Sequence, residues 1–148
     1  MNDQEVRKLA LKYLTIRPRS IYEMETYLNK KKCNETIISE VIRYLKELGY
    51  LNDANFCQLW VEDRLKFKPM GKRRLYHELM QKGVAPELIE DTLSQKVSEE
   101  IELNLAVELA GKYLRTNDHR QYEKLFRFLV RRGFEPKVAF QVTEEIFS

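Results

Sequence analysis

Two histidines and two cysteines are the residues best equipped to do chemistry unaided, and their spacing assembles none of the reactive sets. His77 lies in a basic run and His119 in a charged stretch, each without an Asp, Glu or second His placed to orient it as a general base. Cys33 and Cys57 stand apart, outside any Cys-x-x-Cys pair, and read as small apolar fillers in a reducing compartment. The chain carries no Gly-rich phosphate loop, no His-Glu-x-x-His and no Gly-x-Ser-x-Gly elbow. Catalysis is therefore not expected, and neither a metal nor a cofactor is implied.

What remains is cation chemistry. The stretch from Gly71 to Val84 reads as one short amphipathic helix between two glycines: Leu75, Tyr76, Leu79 and Met80 on one side, Arg73, Arg74, His77 and Gln81 on the other. A second stretch, Gln121 to Phe134, repeats the pattern, so that Arg74 corresponds to Lys124, His77 to Arg127, Gln81 to Arg131 and Lys82 to Arg132. With Lys72 and Arg73 these residues make a cationic ridge suited to phosphates or to an acidic protein groove. Aromatic residues are scarce on the same face, which argues against dedicated readout of single strands by stacking. The net charge of +3 is small, but its distribution is uneven: Arg64 to Lys82 is basic, Glu87 to Glu108 mostly acidic, and bases return from Lys112 to Lys137.

The elements that would carry this ridge are helices. Charged residues form 33% of the 148, with only five glycines and four prolines, a composition that suits helices with solvated outer faces joined by short turns. Val6, Leu9, Ala10, Tyr13 and Leu14 recur at helical spacing behind Asn2 or Asp3 as cap. Ser20-Ile21-Tyr22-Glu23 has the form of a capping box and opens a second helix with Met24, Tyr27 and Leu28 inside. Asn34 caps a third through Ile37, Ile38, Val41, Ile42, Leu45 and Leu48, stopped by Gly49. Asp53 caps a fourth, with Phe56, Cys57, Trp60 and Val61 inside. Pro86 and Pro136 stand at first helical positions. Between Glu87 and Ala110 either one long helix runs or two meet around Ser98, and a loop is expected at Arg115 to Arg120.

Leu28, Leu79 and Leu129 each precede Lys32, Gly83 and Gly133 by one helical turn, and a new helix follows each time. Met24, Leu75 and Leu125 correspond; so do Leu9, Trp60 and Ala110, then Val6, Cys57 and Val107, and Ile37, Leu88 and Val138. The fold expected is all-α: three tandem three-helix repeats, at 1–53, 54–97 and 98–148, forming an elongated, curved helical array whose thin cores support one another. The chain shows no charged-then-apolar leader and no apolar run near the ~20 residues a membrane helix needs, so a cytoplasmic protein without membrane contact is expected.

Gly49-Tyr50-Leu51-Asn52-Asp53 with Phe56, then Gly71-x-x-x-Leu75-x-x-Glu78-Leu79-x-x-Lys82-Gly83-Val84, resembles the RecX family of RecA regulators. Arg131-Arg132-Gly133-Phe134 is similar to that family's third-repeat signature, and Arg17-Pro18-Arg19-Ser20 to the Arg-x-x-Ser-type opening of its first repeat. The turn after Gly49 departs in reading Leu-Asn-Asp where many relatives carry two acids, and Cys33 stands at or near a frequent glycine. The resemblance implies a monomeric, non-enzymatic regulator in DNA repair, homologous recombination and the SOS response. It would bind the RecA filament on single-stranded DNA within the filament groove, and suppress ATP hydrolysis, strand exchange and co-protease action. The residues expected to meet RecA or DNA are Lys72, Arg73, Arg74, His77, Lys82, Lys124, Arg127, Arg131 and Arg132, with single- or double-stranded DNA touched through its phosphates. A helical module that binds DNA directly, without RecA, is the alternative.

Overall fold

The structure is a computed structural model and describes residues 1–117 and 121–148. His119, read above as an unpartnered side chain, and the end of the expected Arg115 to Arg120 loop lie outside the described residues. Among those residues the chain forms nine helices and no strand: α1 (Asp3–Ile16), α2 (Ile21–Lys30), α3 (Glu35–Glu47), α4 (Asp53–Phe67), α5 (Lys72–Gln81), α6 (Pro86–Lys96), α7 (Glu99–Thr116), α8 (Tyr122–Arg131) and α9 (Pro136–Phe147). The stretch without Gly or Pro after Glu87 holds two helices. The Ser98 hydroxyl ends the ambiguity by accepting the Ile101 N–H and capping α7.

Local chemistry explains most boundaries. Asn2 and Ser20 close reciprocal capping boxes with Glu5 and Glu23, and the Asn34 side chain accepts from Thr36 and Ile37. Asp53 does not cap α4 as its position suggests. The Asn52 side chain accepts the Asn55 N–H there, while the Asp53 carboxylate accepts the Ile21 N–H of α2 at 2.9 Å.

The chain divides into two compact units, Met1–Leu59 with Leu79–Ile89 and Trp60–Glu78 with Glu90–Ser148. In the first, α1, α2 and α3 pack around Val6, Ala10, Met24, Leu28, Ile38, Val41, Ile42, Leu45 and Leu51. Tyr13 stacks on Tyr27 at 3.8 Å, and the Arg19 guanidinium lies over Tyr13 at 3.7 Å, so a nearly buried charge is held against a π face. In the second unit, α7, α8 and α9 pack around Ala106, Leu109, Ala110, Leu125, Leu129, Phe134, Ala139 and Val142. Cys57 is fully buried and Cys33 half-buried, both free thiols.

The register of the first helices needs correcting. Val107 is 46% exposed, and Ala106 takes the fully buried position that matches Val6 and Cys57; Ala110 then matches Ala10 and Val61, all fully buried, rather than Leu9 and Trp60. The second helices keep their expected alignment of Met24, Leu75 and Leu125, all fully buried. One extra residue therefore separates first and second helix in the third repeat, and its insertion moves the inward face of α7 by one position. Met80 and Leu48, expected inside, are 43% and 49% exposed. Trp60 is half-buried and its indole N–H donates to Glu78 at 3.0 Å, which makes it a polar anchor as much as an apolar filler.

Candidate partner-binding face

The expected cationic residues separate into two groups. Arg73, His77, Arg127 and Arg131 are exposed, and Lys72, Arg74 and Lys124 are half-buried. Arg127 makes a loose, exposed contact with the Glu123 carboxylate at 3.8 Å and donates through Nε to the Glu123 carbonyl at 3.4 Å, local contacts that contribute little in water and leave the rest of the guanidinium exposed. Within the second unit, Arg73, Arg74 and His77 on α5 and Lys124, Arg127 and Arg131 on α8 are joined through the turn between α8 and α9, where Gly133 meets Arg74. Lys124, Arg127 and Arg131 are spaced at three and seven residues and so share a face of α8.

Lys82 and Arg132 have other work. The Lys82 ammonium lies 3.3 Å from Glu23, which also binds the Arg17 guanidinium, and its carbonyl accepts the Ser20 hydroxyl at 2.7 Å. Burial alone raises the Glu23 pKa. The hydrogen bonds from Arg17 and the Ser20 amide, with the charges of Arg17 and Lys82, outweigh that effect and hold the carboxyl below its ordinary value. Arg132 donates through Nη2 to the Pro69 carbonyl at 2.8 Å, and its Nε is buried with no hydrogen-bond partner among the described residues. Desolvation, then the neighbouring Arg74 charge, lowers the Arg132 pKa.

These two residues mark a junction that occurs twice. At the first, Ser20 bonds the Lys82 carbonyl, Asp53 accepts the Ile21 N–H, and Tyr22 lies against Gly83. At the second, the Gly71 N–H donates to the Arg132 carbonyl at 2.8 Å, the Glu102 carboxylate accepts the Lys72 N–H at 2.7 Å, and the Arg73 N–H donates to the Gly133 carbonyl at 3.0 Å. Asp53 and Glu102 are separated as Cys57 and Ala106 are, so they are equivalent positions of successive repeats. In each case an acid early in the first helix of one repeat caps the second helix of the repeat before it.

Sequence reasoning missed this junction because its parts are far apart in the chain. One signal was present: Gly71 stands in the slot that Ser20 fills with a capping hydroxyl, and a helix start without its own cap requires an acceptor from elsewhere. Glu102 is only 3% exposed. Burial pushes its pKa up, opposed by the Lys72 amide and charge and assisted by Glu135 and Glu99. Among the described residues no cluster of three or more His, Cys, Asp or Glu is arranged to hold a metal ion, and no helix is long and apolar enough to cross a membrane.

Three-helix units in tandem, each clasping the next through a helix-start acid and a tight turn, define a helical repeat protein. The model for the RecX first three-helix domain matches residues 7–50, the second 52–93 and the third 99–143. The chain is 32% identical over 146 residues to the Regulatory protein RecX of Chlorobium phaeobacteroides, covering 99% of this chain and 96% of that one. It is 31% identical to the Regulatory protein RecX of Prosthecochloris aestuarii, covering 100% and 99%. The crystal structure of RecX from Lactobacillus salivarius superimposes with a TM-score of 0.87 at 24% identity, over 98% of this chain and 96% of the other. The chain belongs to the RecX family of regulatory proteins.

Proposed function

We propose that this RecX-family chain is a non-enzymatic, cytoplasmic regulator that binds the RecA filament on single-stranded DNA, in the filament groove, and inhibits RecA ATPase, strand exchange and co-protease activity as a monomer. The observation that carries the reading is the set of exposed bases in the second unit, Arg73, His77, Arg127 and Arg131, on two helices joined by one turn. Exposed guanidinium groups on rigid helices pair with carboxylates or phosphates through two parallel hydrogen bonds, and their positions survive binding with little ordering cost. Lys72, Arg74 and Lys124 add positive field from half-buried stems. Lys82 and Arg132 contribute by holding repeats in register rather than by direct contact.

The test is RecA ATPase on single-stranded DNA with and without the protein, at protein levels well below RecA, beside Arg73→Glu, Arg127→Glu and Arg131→Glu variants. Inhibition by the parent chain that each reversal weakens supports the proposal. An unchanged ATPase and filament length refutes it, and steeply salt-dependent binding to naked DNA without any effect on RecA assigns the same face to direct DNA binding instead.

A further inference from the structure

Helix α5 begins with three consecutive bases, Lys72, Arg73 and Arg74, and has no acid in its first turn. A helix N-terminus carries the positive end of the backbone dipole, so this is the unfavourable end for cations. The residue before them is Gly71, which offers no side chain to accept a free N–H. Helices α2 and α7 begin differently: α2 has Glu23 and its own capping box, and α7 has Glu99, Glu100 and Glu102 behind Ser98.

The missing counter-charge and the missing acceptor both come from the next repeat. Glu102 of α7 is withdrawn from water to 3% exposure and accepts the Lys72 N–H at 2.7 Å. Burying a carboxylate is costly, and the Lys72 amide and ammonium offset part of that cost without cancelling it. The Arg73 N–H is taken by the Gly133 carbonyl and the Gly71 N–H by that of Arg132. With the Lys72 and Arg73 amides committed, the first turn of α5 is tied to Glu102 and to the turn that leads from α8.

We propose that Glu102 is a positioning residue for the cationic face: reaching across the repeat boundary, it sets α5 so that Arg73 acts together with Arg127 and Arg131 on one anionic partner surface. The inference rests on the RecA reading above. Asp53, its equivalent, accepts the Ile21 N–H of α2 in the unit that carries none of Arg73, Arg127 and Arg131, so Asp53 serves as the control.

The experiment uses the full chain as Glu102→Gln, Glu102→Ala, Glu102→Asp and Asp53→Ala, with two readouts: amide hydrogen exchange at Lys72 and Arg73, and the concentration that half-inhibits RecA ATPase. Glu102→Gln keeps an acceptor and is expected to inhibit within about twofold of the parent, with Lys72 still protected. Glu102→Ala is expected to lose protection at Lys72 and to require about tenfold more protein at unchanged helix content. Should that variant not fold, Glu102→Asp carries the test, because it keeps the charge but draws it back by one methylene, and a loss of inhibition between the other two is expected. Asp53→Ala is expected to inhibit like the parent. Equal shifts for Glu102→Ala and Asp53→Ala, or unaltered inhibition and exchange in Glu102→Ala, overturn the proposal. A parent chain without effect on RecA would remove the RecA reading instead, and exchange at Lys72 then decides by itself whether Glu102 holds α5.

Discussion

Alanine placed at three glycines separates the cost of backbone conformation from the cost of contact at the repeat junction. Gly49 has φ +80° and open space around an added Cβ, so Gly49→Ala measures the left-handed backbone alone, about 1 kcal/mol. Gly133 has φ +93°, and a Cβ there would stand 2.3 Å from the Arg74 Cβ and 2.7 Å from the Arg74 amide nitrogen. Backbone cannot swing aside as a side-chain tip can, so overpacking of about 1–3 kcal/mol adds to the conformational cost and gives about 2–4 kcal/mol in all. Gly71 has no left-handed φ, yet its Cβ would meet the Gly133 carbonyl carbon and oxygen at 2.3 Å, so Gly71→Ala isolates the contact cost. Urea unfolding of the three variants, read at constant m, supplies the numbers. Gly71 and Gly133 face one another, so the double variant is expected to be less destabilised than the sum, because the first alanine already parts the elements. A Gly133→Ala cost no larger than that of Gly49→Ala would mean that the Arg74 backbone yields to the added Cβ without penalty, the opposite of what the 2.3 Å approach requires.

Lys32 occupies the slot of Gly83 and Gly133 with φ 61° but is exposed, so Lys32→Gly is expected to stabilise the chain by about 1 kcal/mol in the same urea assay. Glu23 has its pKa lowered by folding, so its contribution is present above the unfolded value near 4.5 and lost as pH falls through the lower folded value. Glu23→Gln should therefore flatten the acid limb of a stability–pH curve. Glu102 has its pKa raised, so its sign is opposite: stability is lost as pH rises from 4.5 through the folded value, and Glu102→Gln removes that decline. Lys82→Ala breaks a half-buried ion pair and is expected to cost about 1 kcal/mol, whereas exposed Arg131→Ala is expected to stay within about 0.5 kcal/mol in thermal unfolding while weakening RecA inhibition more.

What was legible in the sequence followed from interactions between near neighbours in the chain. Capping at Ser20 and Asn34 and proline at Pro86 and Pro136 involve atoms within a few residues, so residue type and spacing suffice to place those helix starts, whereas the Ser98 cap left one helix or two open until the hydroxyl was seen to accept the Ile101 N–H. The repeat was legible for a similar reason, since Leu28, Leu79 and Leu129 are fully buried beside equivalent turns. Register in the third repeat was not, because a residue inserted between α7 and α8 slides the pattern by one while leaving each helix amphipathic by itself. Val107 and Ala106 are both apolar, and only packing chooses the alanine. The cationic face was half legible for a deeper reason. Charge at position 131 or 132 looks alike in sequence, yet Arg131 ends in solvent while Arg132 is half-buried and donates through Nη2 to the Pro69 carbonyl, and the difference is made by a turn more than sixty residues away. Basic residues just before a glycine turn thus do two jobs in this fold: they lend charge to the surface and carbonyls to the neighbouring repeat. Reversing the charge of Lys82 or Arg132 perturbs the junction together with any partner contact, and Arg73 stands at the α5 start where the junction forms, so Arg127 and Arg131 are where charge reversal tests the proposed contact with the junction left in place.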